Sequence, residues 1–275
     1  MEETTGVNGI KVCYEVRGNG DNLLLLHGNA IGRQAWDGLI AGLSKHYTVY
    51  APDLPGFGCS DMPDIPYNVP FYADYLDRLM QRLGLEKSAV AGVSMGGAVA
   101  ATLAAGHPDK VTKLILIAPA GLTPPQGGFV KPSRFMDASF WLLSHNRDMF
   151  RRSLEELFFD KNRIPEGVAE SVFSRMKNPA HRRAILRNVQ YMAKADMAFP
   201  DMLKAITART LIVWGREDRV IPVTDAERFA KLIKYAEVVT LARCGHAVPV
   251  ERAESLADAM LSFLGEVNLY YPAEQ

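Results

Sequence analysis

The sequence predicts an α/β fold, a mostly parallel, doubly wound sheet interrupted once by an inserted block of helices. Short runs such as Leu23-Leu24-Leu25-Leu26 are apolar at every position, which suits strands buried on both faces and therefore covered by helices. Helical patterns lie between most of these runs, as a doubly wound sheet requires. From about Pro119 to Ile206 the alternation stops and only helical periodicity remains.

In chain order, strand-like runs occur at Ile10 to Arg17, Leu23 to Leu26, Thr48 to Ala51, Ser88 to Val93, Lys113 to Ala118, Thr210 to Trp214 and Glu237 to Leu241. Tyr72, Leu76, Leu79, Met80 and Leu83 recur at steps of three and four, as do Leu256, Met260, Phe263 and Leu264, so both segments read as amphipathic helices laid on the sheet. Within the interruption, Met149, Phe150, Leu154, Leu157 and Phe158, then Ile185, Leu186, Val189 and Met192, repeat the same spacing. The expected organisation is a main α/β domain of residues 1–118 and 207–275 with a helical cap, or lid, of residues 119–206. The cap opens on a breaker-rich loop, Gly121 to Gly128, suited to a hinge.

The chain has 275 residues, enough for one large domain with an insertion, and its 31 basic residues match its 31 acidic ones. Without a basic excess, nucleic acid is not an expected partner. Met1-Glu2-Glu3-Thr4-Thr5 lacks the basic and apolar regions of a signal peptide, and runs such as Leu114 to Ala118 are too short to cross a bilayer. The cap's charges are of both signs and form no basic stripe along its sequence, so no membrane contact is expected. The expectation is a soluble, cytoplasmic protein. Cys13, Cys59 and Cys244 are few and widely spaced, which points to unpaired thiols; Cys244 is either strand packing or part of a site wall.

Gly92-Val93-Ser94-Met95-Gly96 lies between the strand run Ser88 to Ala91 and the small-residue helical run Gly97 to Ala104. This is the context of a nucleophile elbow, whose sharp turn requires small residues two before and two after the serine. A serine hydroxyl needs a base, and the base needs an acid that fixes its tautomer. Of six histidines only His246, in Cys244-Gly245-His246, follows every strand of the second half. The loop after Thr210 to Trp214 reads Gly215-Arg216-Glu217-Asp218, and Asp218 is the expected acid, with Glu217 as the alternative. The expected oxyanion donors are the backbone N–H groups of Met95, at the start of the helix, and of Asn29, after His27-Gly28. His27 itself reads as a packing residue beneath that loop.

With these motifs and the glycine-rich loop Asp53 to Ser60, the chain resembles the α/β-hydrolase superfamily over nearly its full length. The resemblance implies Ser94, Asp218 and His246 as a catalytic triad, with no metal and no organic cofactor. Serine at position 94 sets the chain apart from the haloalkane dehalogenases and epoxide hydrolases, which use an aspartate nucleophile. Two groups resemble it most, the capped serine esterases and the meta-cleavage product hydrolases, which cut a C–C bond beside a ketone. The second group usually has asparagine before the nucleophile, a Gly-Pro-Gly oxyanion loop and tryptophan after the triad histidine, where this chain has Val93, Asn29-Ala30-Ile31 and Ala247. Trp214 to Arg219 and the cap pair Arg182-Arg183 resemble it nonetheless. The expected activity is hydrolysis of small-molecule carboxylic esters of short to medium chain through an acyl-enzyme; the alternatives are C–C hydrolysis and a ligand-binding signalling role on the same fold. Trp36, Met95 and Val248, with the cap aromatics Phe129, Phe135, Phe140 and Trp141, are the expected apolar walls.

Overall fold

The computed structural model describes residues 2–126, 136–194 and 199–265. Eight strands form one sheet in the order β1-β2-β4-β3-β5-β6-β7-β8. They are β1 Glu2–Val7, β2 Ile10–Arg17, β3 Asp21–Leu26, β4 Tyr47–Pro52, β5 Ser88–Val93, β6 Val111–Ile117, β7 Arg209–Gly215 and β8 Ala236–Leu241. β1 and β2 pair antiparallel, β2 joins β4 antiparallel, and every pair from β4 to β8 is parallel.

Side chains in the buried strands alternate between two cores. Leu24, Leu26, Leu114, Leu116, Ile212 and Trp214 face one core, while Leu23, Leu25, Ile115, Ile117, Leu211 and Val213 face the other. That two-residue period is why the strands look uniformly apolar in sequence. Helices α1 (Asp37–Leu43) and α11 (Ala253–Leu264) cover the second face; α2 (Val69–Arg82), α3 (Met95–Gly106) and α9 (Thr224–Leu232) cover the first. The short α10 (Val248–Glu251) precedes α11. Asn68 caps α2 by accepting the Phe71 N–H at 2.9 Å, and Pro70 occupies its first turn.

Between β6 and β7 lie α4 (Met136–His145), α5 (Arg147–Glu155), α6 (Glu166–Met176), α7 (Pro179–Met192) and α8 (Phe199–Lys204). The first four pack on one another, whereas α8 sits against α3 and α9. Phe150, Leu154, Ile185, Leu186, Val189 and Met192 are buried, as their spacing requires, and their burial extends the first core into this block.

Two features depart from the sequence reading. β1 has no apolar alternation, yet it forms a hairpin with β2 across Asn8-Gly9, both at positive φ (52° and 77°). Asn-Gly in a two-residue loop is a strong hairpin signal, and here it precedes a strand already recognised. Cys13 and Cys59, read as unpaired thiols, form a disulfide with Cα atoms 5.7 Å apart, joining β2 to the glycine-rich loop. Their separation of 46 residues carries no trace of that pairing in the sequence. Cys244 is a free, buried thiol, pushed up to about 12 first by burial and then by the Glu251 charge, so it packs as a neutral group.

Candidate active site

β3 is flanked by β4 on one side and β5 on the other, so chain direction across the sheet reverses there and a crevice opens beyond the carboxyl ends of β3 and β5. Leu26 pairs with Gly92, which places the segments following both strands side by side. Ser94 stands in that crevice at φ 55° and ψ −117°, a conformation that side-chain-bearing residues rarely adopt. The turn survives because its neighbours lack side chains. A Cβ on Gly92 would come within 2.2 Å of Gly96 O, and one on Gly96 within 2.2 Å of Leu26 O. The Ser94 N–H is bound to Ile117 O at 2.9 Å, and Ser94 O accepts from Gly97, Ala98 and Ala120.

His246 follows β8 and is almost wholly buried. Its Nδ1 lies 2.7 Å from Asp218 Oδ2, while Asp218 Oδ1 accepts the Val220 and Ile221 N–H groups at 2.8 and 3.0 Å. The carboxylate is therefore aimed by its own turn, and the proton on Nδ1 leaves Nε2 as the basic nitrogen. Glu217, the alternative acid, points elsewhere: it accepts the Cys244 N–H at 2.9 Å and braces the loop that carries His246.

The Asn29 loop is clamped from two sides. Buried Asp53 accepts the Arg33 N–H at 2.9 Å and Arg33 Nη1 at 2.6 Å, and Gly58 leaves room for that carboxylate, since a Cβ there would overlap it. From α6, Arg175 Nη2 donates to Ile31 O and to Gln34 Oε1 at 3.2 and 2.7 Å. His27 lies beneath, fully buried; its Nδ1 donates to Gly28 O at 2.7 Å and its Nε2 accepts the Leu54 N–H at 2.9 Å. Burial lowers its pKa and keeps it neutral, as suits a packing residue. Among the described residues, the turns around the elbow offer the Asn29 and Met95 N–H groups no backbone acceptor, while Gly97 and Ala98 donate to Ser94 O. The Asn29 side chain donates to Ile185 O of α7 at 3.3 Å.

Ser94 and His246 line one cavity of about 80 Å³, together with Gly28 and Asn29. Its remaining wall is aliphatic: Ile31 and Val220 from the sheet-end loops, Val250 from α10, and Leu154, Val172, Ile185 and Met192 from α5, α6 and α7. Among the described residues no lysine, arginine or carboxylate lines it.

Several expected walls are elsewhere. Trp36 and Val248 are fully buried in the core between the sheet and α1 and α11, because the 3-10 turn Arg33–Trp36 before α1, and α10, direct those positions inward. Met95 presents its backbone near the elbow but buries its side chain in the opposite core. Phe140 is core within the helical block, whereas Trp141, the next residue, is 54% exposed and lines a different cavity. Phe129 and Phe135 lie outside the described residues.

One group the sequence reading passed over is Glu251. It is fully buried and accepts the N–H groups of Gly245, Phe159 and Asp160 at 2.7, 3.1 and 2.6 Å. It thus fastens the turn after α5 to the loop that carries His246, helped by the Ala247 N–H bound to Leu157 O at 2.9 Å. A glutamate in a short carboxyl-side helix offers no pattern by which this could be found in sequence.

Comparison with known proteins places this geometry among hydrolases. A family model described as the alpha/beta hydrolase fold matches residues 21–253. A 2-hydroxymuconate semialdehyde hydrolase of Pseudomonas sp. (strain CF600) is 29% identical over 94% of this chain and 92% of its own length. A monoacylglycerol lipase of Xenopus laevis, abhd6-B, is 30% identical over 94% of this chain and 80% of its own. Among solved structures, a bacterial membrane phospholipase A superposes with a TM-score of 0.84 at 29% identity, covering 98% of this chain and 87% of that one.

Proposed function

The chain belongs to the alpha/beta hydrolase family, and from that premise we propose that it is a serine hydrolase of neutral carboxylic esters, of short to medium acyl chain, working through Ser94, His246 and Asp218. The observation that carries this reading is a single cavity that holds Ser94, on its strained turn, and His246, on its Asp218 hydrogen bond, within an otherwise aliphatic wall. In the reaction, His246 Nε2 removes the Ser94 hydroxyl proton as Oγ attacks the ester carbonyl, and then returns it to the departing alcohol. The Asn29 and Met95 N–H groups receive the negative charge that develops on the carbonyl oxygen. Water, activated by the same imidazole, releases the acid from the acyl-enzyme. No step requires a metal or an organic cofactor. Residues 119–206 act as the lid, and their aliphatic side chains select the acyl chain.

The second reading, C–C hydrolysis, is favoured by the Pseudomonas relative, whose substrate name denotes an acidic dienol. A carboxylate in a closed aliphatic cavity needs a cation to offset its lost hydration. Arg175 bonds the wall residue Ile31, and its guanidinium is engaged by Ile31 O, Gln34 Oε1 and Ser171 Oγ through Nη2 and by Ser171 O through Nε. Arg182 and Arg183 line the other cavity. The ester reading is therefore preferred. A panel of p-nitrophenyl esters run beside a 2-hydroxy-6-oxo-dienoate tests it: kcat/KM should be higher for a C2 to C8 ester, and the reverse order would replace it with the C–C reading.

A further inference from the structure

Helix α7 carries Arg182, Arg183 and Arg187 and no acidic residue. Its Ile185 lines the cavity of Ser94, while its Leu186 and its three arginines, with Trp141 of α4, line a second, open cavity of about 420 Å³. One helix thus separates the candidate active site from this outer face.

The outer face holds excess positive charge. Arg187 Nη1 donates to Asp64 Oδ1 and to Ile65 O at 2.5 Å, and Arg183 Nε stands 3.9 Å from the same Asp64 oxygen. Arg182 Nη1 donates to the Met176 and Lys177 carbonyls, which solvate it without neutralising it. One carboxylate, Asp64, thus faces two of the three guanidinium groups, Arg182 has none, and among the described residues buried Arg183 Nε has no hydrogen-bond partner. Beside them, Trp141 and Leu142 are 54% and 42% exposed, and the indole is held by stacking on His145 with centroids 4.3 Å apart.

We propose that this face docks on an anionic lipid surface, with the α7 arginines on lipid phosphates and with Trp141 and Leu142 at the level of the headgroups. Guanidinium groups match phosphate geometry, and tryptophan favours the boundary between water and hydrocarbon. An exposed apolar pair beside uncompensated arginines is the surface form of that arrangement. The contact is peripheral, since no helix among the described residues is long and apolar enough to span a membrane. It departs from the sequence expectation of no membrane contact: the segment of α7 has basic residues and no acidic ones, and folding sets it beside the exposed Trp141 of α4.

The test uses the full chain. Of its tryptophans, Trp36 and Trp214 are fully buried and Trp141 is exposed, so the exposed component of tryptophan emission reports on this face. With vesicles of phosphatidylcholine containing phosphatidylglycerol, the protein should co-sediment, its emission should shift to shorter wavelength and its quenching by acrylamide should fall. Pure phosphatidylcholine should do neither. Arg182→Gln with Arg183→Gln should weaken partitioning by about 25-fold, at roughly fivefold per arginine near such a surface, and added salt should reduce wild-type binding. Trp141→Ala should remove the spectral change and weaken sedimentation; circular dichroism melts confirm that the variants are folded. No sedimentation with anionic vesicles, equal binding to neutral ones, or a double variant that binds like wild type would overturn the proposal. So would the same spectral change with inorganic phosphate or an oligonucleotide and none with vesicles. No turnover is measured, so failure here leaves the hydrolase reading untouched.

Discussion

Around the cavity, the loops at the carboxyl ends of the strands contribute Ser94, His246 and Asn29, whereas α5, α6 and α7 contribute Leu154, Val172, Ile185 and Met192. The polar groups are each over-determined: Asp218 is held by two backbone N–H groups, Glu217 and Glu251 brace the His246 loop, and Asp53 with Arg175 clamps the Asn29 loop. The side chains of the aliphatic wall have no polar groups and are held by packing. On the proposed reading, chemistry that needs placement to fractions of an ångström is built on hydrogen-bonded loops over a rigid sheet, while selection by shape is left to a region whose side chains can be exchanged. Polar links that cross between them include Arg175 to the Asn29 loop, the Asn29 side chain to Ile185 O of α7, and Glu251 to the turn after α5.

The sharpest way to break this division is to remove the reacting groups. Ser94→Ala and His246→Ala should each lower ester kcat by about 10⁴- to 10⁶-fold, and the double variant should be scarcely worse than either, because the two act as a unit. Independent, multiplying losses in steady-state kinetics would break it. Next, Asp218→Asn should cost about 10⁴-fold in kcat with KM nearly unchanged, since it disturbs the imidazole tautomer and leaves the wall intact. Glu217→Gln should cost far less, and a larger loss there would move the acid.

Substitutions in the wall should act on selectivity. Met192→Ala and Ile185→Val should change kcat/KM for a C8 ester relative to acetate by about 10-fold, as expected for one or two altered methylene contacts. Trp141→Ala and Phe140→Ala should leave that ratio unchanged, because the first residue faces outward and the second is core. Equal losses on both esters from the wall variants would mean that the helical block positions the reacting groups as well.

The smallest expected effect concerns the seating of α7. His181 is buried under the glycine-rich loop, with Nδ1 donating to Gly56 O at 2.9 Å and Nε2 without a partner among the described residues. Burial lowers its pKa from 6.5 to about 4, with Arg175 and His27 adding to the effect and Asp53 opposing it. Because the folded value lies below the unfolded one, this stabilising contribution is complete above about pH 6.5 and is lost as pH falls toward 4, to a limit of about 3 kcal/mol. Thermal melts of the wild type should fall across that window, and those of His181→Asn should fall less. An unchanged slope would place the acid sensitivity elsewhere.

Much of the elbow was legible because backbone geometry there dictates residue type: Gly92 and Gly96 face carbonyl oxygens 2.2 Å from where a Cβ would sit. The sheet was legible because strands buried on both faces must be apolar throughout, and the helical block because burial of one helix face imposes its period. The Asn8-Gly9 hairpin was within reach of the sequence, but β1 itself, with charged and polar residues at an edge, lacked the apolar pattern by which strands are recognised.

Local pattern determined the fold class, the order of most elements, and the segments that carry Ser94, Asp218 and His246 of the proposed triad, since each is a property of a few neighbouring residues. Tertiary structure alone decided the rest. Trp36 and Val248 go to one core and Ile185 and Met192 to the cavity according to how whole helices are rotated against the sheet. Asp218 and not Glu217 meets His246 because one turn aims consecutive side chains in different directions. Cys13 finds Cys59, Glu251 finds the turn after α5, and the α7 arginines gather beside Trp141 through approaches of residues 40 to 90 positions apart. Such contacts depend on the relative placement of packed bodies, which many sequences satisfy and no short stretch of one encodes.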